Sequence, residues 1–516
     1  MIVMALLLPV LARADPQRCV QCHSKQVEGY LKTGMGNSLS RPGAQPPGRF
    51  RHSRSGTRVE VRANAVGMQH RIEGGRLAAE YPIDYFVGSG NHGRSYLINV
   101  GGRLFQSPAS YYTQLARWDV SPGYEADREL DFNRPIVPEC LFCHSGNARP
   151  IRNSLNTYQS PPFESEAITC ERCHGPAADH LVKPSPATIL NPAKLAPERR
   201  DAVCEQCHLG AEARILNPGK QFSDYHPGEL LEGTFSAYVF ERRPDAPAGH
   251  ALKVVSHVEQ LAESACARES QGKMWCGSCH DPHDKPAEPV SYYRERCQQC
   301  HAAADLESHP KPAKNCIGCH MPRRNTYDGS HTAFTDHQIQ RRPNDPGEPL
   351  QSKSLRPWRQ PPSSLARRNL GLAHISVGER DQSAEYLNEG FRILAEVQPS
   401  FNDDPAVLIS LAAVLLKKNV PEEAAKLFQR AATLEPTDAR HHLNLASALR
   451  AAGKNALAIE SLEKAIALDP SLEDAHLLLA QIRKETGSPE QSRQALERYL
   501  EFMPQSLPFR RLLDER

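Results

Sequence analysis

Cys316-Ile317-Gly318-Cys319-His320-Met321-Pro322 closes a series that decides how most of this chain is read. The pattern Cys-x-x-Cys-His occurs seven times and takes fourteen of the fifteen cysteines. The other copies are Cys19, Cys22 and His23; Cys140, Cys143 and His144; Cys170, Cys173 and His174; Cys204, Cys207 and His208; Cys276, Cys279 and His280; and Cys297, Cys300 and His301. Two thiols at this spacing can each form a thioether to one vinyl group of a porphyrin, and the adjoining histidine reaches the iron. A zinc site needs paired half-sites and no fixed trailing histidine, and a thioredoxin-like motif would occur once. A disulfide framework fits badly, because cysteines three apart close only small strained loops. The spacing therefore predicts seven covalently attached c-type haems. Cys266, the odd cysteine, reads as a small half-buried thiol.

With 62 basic and 60 acidic residues among 516, the charge balance points to no nucleic-acid partner. Aromatic residues make up 6% of the chain and prolines number 42, a poor supply for an ordinary core, so bound porphyrins are expected to provide apolar surface instead. Residues 1–14, MIVMALLLPVLARA, fit a secretory signal closing on Ala12-Arg13-Ala14, although the basic leading segment is missing. The run is too short to span a bilayer comfortably. Export to the periplasm or beyond is expected, since haem is attached to such motifs outside the bacterial cytoplasm.

Residues 15–339 form the expected cytochrome domain. Within it, residues 48–115 carry no cysteine and alternate in hydrophobicity at Arg58 to Arg62 and Met68 to Ile72; Tyr96 to Val100 lead into Gly101-Gly102. These are strand and hairpin signals, read as a small antiparallel β insertion packed against the haem region. The rest should be loop-rich and mostly α. Residues 340–362 are rich in proline and charge and read as a linker.

From 363 to 516 the pattern changes. Pro436, Pro470 and Pro504 recur every 34 residues, as do Gly453 and Gly487, with Leu411, Leu445, Leu479 and Ala412, Ala446, Ala480 in register. A 34-residue helix-turn-helix period is the tetratricopeptide repeat. Four repeats are expected, the first degenerate around Leu370-Gly371, building an α-solenoid that docks a protein partner.

Four of the fifteen histidines outside the motifs (His374, His441, His442, His476) fall in the repeats and read as packing residues. The other eleven, including His70, His226, His250 and His309, suffice to give every iron a second imidazole. Met68 could replace one, but a strand-core role is favoured. His180 and His283 follow the third and fifth motifs closely, and His331 and His337 follow the seventh. The string from Cys316 to Pro322 with His331 and Thr335-Asp336-His337 resembles multihaem cytochromes of the nitrite-reductase and hydroxylamine-oxidoreductase superfamily. The whole chain resembles bacterial multihaem cytochromes fused to tetratricopeptide repeats. The resemblance implies that His180, His283, His331 and His337 are distal ligands to neighbouring haems, with His257, His52 and His92 next in rank.

The chain departs from those enzymes in two ways. No motif ends in lysine as at the active haem of the nitrite reductases, and no tyrosine can be assigned a haem crosslink. No catalytic residue is therefore named. Electron transfer through packed haems is the leading expectation, with the repeats holding a redox partner. The alternative is an oxidoreductase acting on a small nitrogen or sulfur compound at one open haem, lined by His52, His70 and Arg94. A scaffold with structural haems is a third, weaker reading.

Overall fold

The computed structural model describes residues 16–514 except 44, 65–66, 242–251, 302–308, 310–314, 330 and 342–353. The expected signal segment and His250 lie outside the described residues.

Strands dominate the stretch after the first motif. Strands β1 (Leu39–Ser40), β2 (Gly48–Arg51), β3 (Arg58–Asn64), β4 (Gly67–Gly74), β5 (Leu77–Pro82), β6 (Tyr85–Val87), β7 (Arg94–Val100), β8 (Arg103–Tyr112), β9 (Arg117–Val120) and β10 (Arg134–Pro135) form two antiparallel sheets. One is the four-strand meander β2-β3-β4-β5; the other runs β1-β6-β7-β8-β10, with β9 also paired to β8. Side-chain alternation sets the inward face: Met68, His70 and Ile72 of β4 are buried, and Val59 and Val61 of β3 face Ile72 and His70 across the ladder. The β7-β8 hairpin turns on Gly101 and Gly102 at φ 58° and 82°, and the two-residue turns that match strand twist favour glycine at such angles. The β component is therefore larger than the expected 48–115 insertion. With further strands at Tyr158–Phe163, Ala213–Leu216 and Phe235–Phe240, the mostly α expectation is corrected to a mixture of strands and short helices.

The repeat region is four antiparallel helix pairs: Ala366–Arg380 with Ala384–Val397, Pro405–Lys417 with Pro421–Leu434, Ala439–Ala451 with Asn455–Leu468, and Glu473–Glu485 with Pro489–Phe502, capped by Leu507–Asp514. Small residues let paired helices close up. A Cβ on Gly390 would stand 2.9 Å from the Gly371 carbonyl oxygen and 2.7 Å from Ile375 Cδ1. The glycines of the degenerate first repeat thus do the work that alanines such as Ala412, Ala424 and Ala431, all buried, do in the second.

The repeats are joined to the rest of the chain by shared cores. One continuous cluster holds Ile72, Tyr96, Phe105 and Phe132 of the sheet region together with Leu479, Tyr499 and Phe509. A second joins Ile215 and Tyr238 to Leu372, Ile375 and Leu411. Polar contacts follow the same seam: Arg103 pairs with Asp469 at 2.9 Å, and Gln505 trades two hydrogen bonds with the backbone of Glu80, at 2.8 and 2.7 Å. Ser506 Oγ donates to Asp131 at 2.7 Å. Helices share in the seam as well: Asn369 donates to Ser236 Oγ at 3.1 Å, Asn133 donates to Glu473 at 2.7 Å, and Arg510 donates to Ala78 O at 2.9 Å. Part of the expected linker is structured as well. Leu355–Pro357 pairs with the strand Phe235–Phe240, and Arg359 and Trp358 reach Glu205 in the fourth motif's helix.

Candidate functional site

Most of the motifs sit at the end of a helix. Cysteines three apart on a helix lie on one face, one turn from each other, and the histidine comes where the helix stops. Pro138–His144, Glu171–His174, Pro197–His208 and Cys316–His320 all terminate on the motif histidine. Cys276–Cys279 is capped by His280, and the first helix, Pro16–Tyr30, breaks at His23 with φ −120° and ψ 41°. All fifteen cysteines are free thiols. Thiols of different motifs meet: Cys143 with Cys207, Cys204 with Cys276, Cys19 with Cys170 and Cys297 with Cys316 are within hydrogen-bonding reach.

The structure brings five motif histidines opposite a second imidazole. Ring centres are 6.3 Å apart for His23 and His180, 5.8 Å for His174 and His283, and 5.7 Å for His208 and His257. They are 6.1 Å apart for His280 and His337 and 6.0 Å for His320 and His309. A metal held between two imidazoles, with metal–nitrogen bonds of about 2 Å and about 1 Å more to each ring centre, sets the centres about 6 Å apart. Interplanar angles run from 22° to 87°, and axial ligation is indifferent to that rotation.

Hydrogen bonding selects the nitrogen left for a metal. His174 Nδ1 donates to Leu190 O at 2.8 Å, His180 Nδ1 to Ser185 O at 3.2 Å, His320 Nδ1 to Gln340 O at 2.9 Å and His337 Nδ1 to Thr335 O at 2.8 Å. A carbonyl can only accept, so the proton is on Nδ1 and the lone pair on Nε2, the usual second-shell arrangement of a metal-ligating histidine. Burial favours the neutral ring at His257, which it pushes down to about 3, and at His280, which it pushes to about 4, with nearby imidazoles adding to the effect. Burial likewise lowers His144, His174, His208 and His337.

The protein supplies little core around the last three motifs. Among the described residues, no apolar side chain between Leu252 and Leu355 is buried; the side chains buried there belong to Ser256, Gln260, Ser264, Arg324, Asp336 and Gln338. The donor set, the ring spacing and the missing apolar interior all fit covalently held haem, which would supply apolar surface and a one-electron metal centre.

Three expected ligands make other contacts in the structure. His331 points Nε2 at Asp119, 3.2 Å away, and packs edge-on to Tyr112. His52 uses Nδ1 on Ser55 and Nε2 on Glu125 O, so both nitrogens are engaged. His92 bonds the Gln114 amide through Nδ1 and stacks on Phe334 with ring centres 4.1 Å apart. His70, considered for an open pocket, is a core residue wedged between Tyr96 and Trp118 with Nδ1 on Ser107; burial pulls it down to about 3. Arg94 packs over the Phe86 ring, 4.6 Å from its centre. His309 was left out of the ranked ligands. Its signal was present, since it follows the sixth motif by eight residues much as His180 follows the third by six. Among the described residues, His144 and His301 face no second imidazole at this spacing.

The molecule thus combines a motif-bearing part rich in paired imidazoles with a C-terminal solenoid of tetratricopeptide repeats. Tetratricopeptide-repeat family models match residues 409–473 and 449–514. A multihaem cytochrome, MtrA of Shewanella baltica, is 22% identical over 196 residues, 34% of this chain and 55% of that protein. A dissimilatory sulfite reductase, MccA of Wolinella succinogenes, is 27% identical over 166 residues, 30% of this chain and 19% of that protein. The chain therefore spans about half the length of the first relative and a fifth of the second. Among solved structures, MamA covers 25% of this chain and 74% of its own at 21% identity and a TM-score of 0.23. No helix among the described residues is long and apolar enough to cross a membrane.

Proposed function

We propose that the protein is an exported c-type cytochrome that carries seven haems and passes electrons between protein partners, with the repeats positioning one of those partners. The observation that carries this reading is the set of five imidazole pairs about 6 Å apart in a region where, among the described residues between Leu252 and Leu355, no apolar side chain is buried. Two imidazoles per iron favour a low-spin, six-coordinate metal that changes little on reduction, which suits transfer of single electrons over chemistry at the iron. The distant likeness to multihaem cytochromes supports it, as does the resemblance to the nitrite-reductase and hydroxylamine-oxidoreductase superfamily. Stacked repeats form an extended concave surface of the kind that binds protein partners.

An absorption spectrum of the purified holoprotein, with a haemochrome count, tests this reading: seven haems per chain support it, and a chain purified without covalent haem refutes it. A second reading, an oxidoreductase for a small nitrogen or sulfur compound, is favoured by His144. That ring is buried and, among the described residues, has no imidazole opposite. Carbon monoxide binding by the reduced protein at about one haem per chain would support an open iron there, and its absence would leave electron transfer alone.

A further inference from the structure

Four of the five second imidazoles follow one motif in sequence and lie opposite the histidine of another in space. His180 stands six residues after the third motif and faces His23 of the first. His283 stands three residues after the fifth and faces His174 of the third. His337 follows the seventh and faces His280 of the fifth. His309 follows the sixth and faces His320 of the seventh. His257, on the helix His257–Glu263 ahead of the fifth motif, faces His208 of the fourth, and its ring is 4.9 Å from that of His337.

We propose that these residues are the second axial ligands in this crossed pattern, so that the chain segments are interlocked in the order first, third, fifth, seventh and sixth motif instead of sequence order. The inference rests on the haem reading above and adds the assignment of each histidine to one iron. Its physical content is that a metal bound at one motif pins the segment carrying another. His283 and His280 sit three residues apart on one short turn, where His283 N donates to Asp281 at 2.9 Å, yet they serve different irons. The crossing also accounts for how the described residues between Leu252 and Leu355 can be ordered with only polar side chains buried, since ligand bonds pin their segments to one another.

The decisive experiment is histidine labelling with diethyl pyrocarbonate, read by mass spectrometry, on the holoprotein and on a Cys170→Ser/Cys173→Ser variant that cannot attach haem at the third motif. A haemochrome count of seven in the parent and six in the variant first establishes the haem reading separately. The expected result is that His283 is protected in the parent and becomes labelled in the variant, while His180, His257, His309 and His337 stay protected. Continued protection of His283, with another histidine released in its place, overturns the assignment. Should the six-haem variant fail to fold, His283→Ala in the full protein decides. It is expected to open one further iron to carbon monoxide, and two further when combined with His180→Ala. No added binding in His283→Ala means that His283 is not a ligand, and the crossed pattern falls.

Discussion

Residues 253–354 and residues 366–514 are held together in opposite ways. In the repeats every paired helix buries apolar side chains: Leu411, Ala412 and Val414 in one, Ala424, Phe428 and Ala431 in its partner. In the motif-rich stretch the helices Cys276–Cys279, Pro289–Gln298 and Cys316–His320 bury none. Burial of apolar surface is the main favourable term in folding, so the repeats have a source of stability in their own sequence and the motif-rich stretch does not. One region carries its own apolar interior; on the proposed reading, the other is a set of ligands and attachment points arranged around haem.

The sharpest way to break this comparison is to express the chain without haem attachment. Residues 253–341 are then expected to lose ordered structure, with amide exchange too fast to protect, while the repeats and the two sheets keep native-like protection. Exchange read by mass spectrometry checks it. Equal protection of both regions in the haem-free chain would mean that the motif-rich stretch has a core of its own.

The same difference explains what the sequence could reveal. Repeats announce themselves because identical packing problems recur every 34 residues, so Leu445 and Leu479 repeat Leu411. Motif cysteines are equally legible because the chemistry fixes their spacing. Second ligands are not, since an imidazole needs only to arrive at the right point in space from any segment. His331 and His337 read alike in sequence, yet Asp119 lies beside the first and His280 opposite the second, and the unranked His309 lies opposite His320. The seam was invisible for a related reason. Arg103 and Asp469 are far apart in sequence, and nothing in either local pattern marks an interdomain pair. Proline and charge in 340–362 suggested a plain linker, yet Leu355 and Arg356 find a strand edge to pair with.

A second prediction concerns the junction between the first repeat and the strand Ala213–Leu216. Arg368, 2% exposed, binds Asp404 at 2.7 Å and donates to Leu216 O at 2.8 Å, tying the first repeat to the strand Ala213–Leu216. Removing one member of a buried pair leaves the other charge unpaired and costs about 3–5 kcal/mol. Arg368→Ala is therefore expected to lower the denaturant midpoint of the repeat transition and to weaken protection of residues 213–216 as well. Loss confined to the repeats would show that the seam is not energetically coupled.

The smallest expected effect is a pH dependence at the other end of the seam. Asp131 is buried under the last repeat and accepts from Ser506 Oγ and from the Phe132 amide. Burial outweighs those bonds and raises its carboxyl from 3.8 to about 7. Between those values the folded chain holds a proton that the unfolded chain has lost, so stability falls as pH rises. The linkage amounts to roughly 2 kcal/mol lost between pH 5 and pH 7. Asp131→Asn keeps the shape, removes the titration and is expected to flatten that slope without touching any motif, so the difference between the two unfolding curves isolates the group. Parallel slopes would mean that the carboxylate stays charged at its site. The seam would then depend on the bonds of Gln505 to the Glu80 backbone and on Arg103 with Asp469.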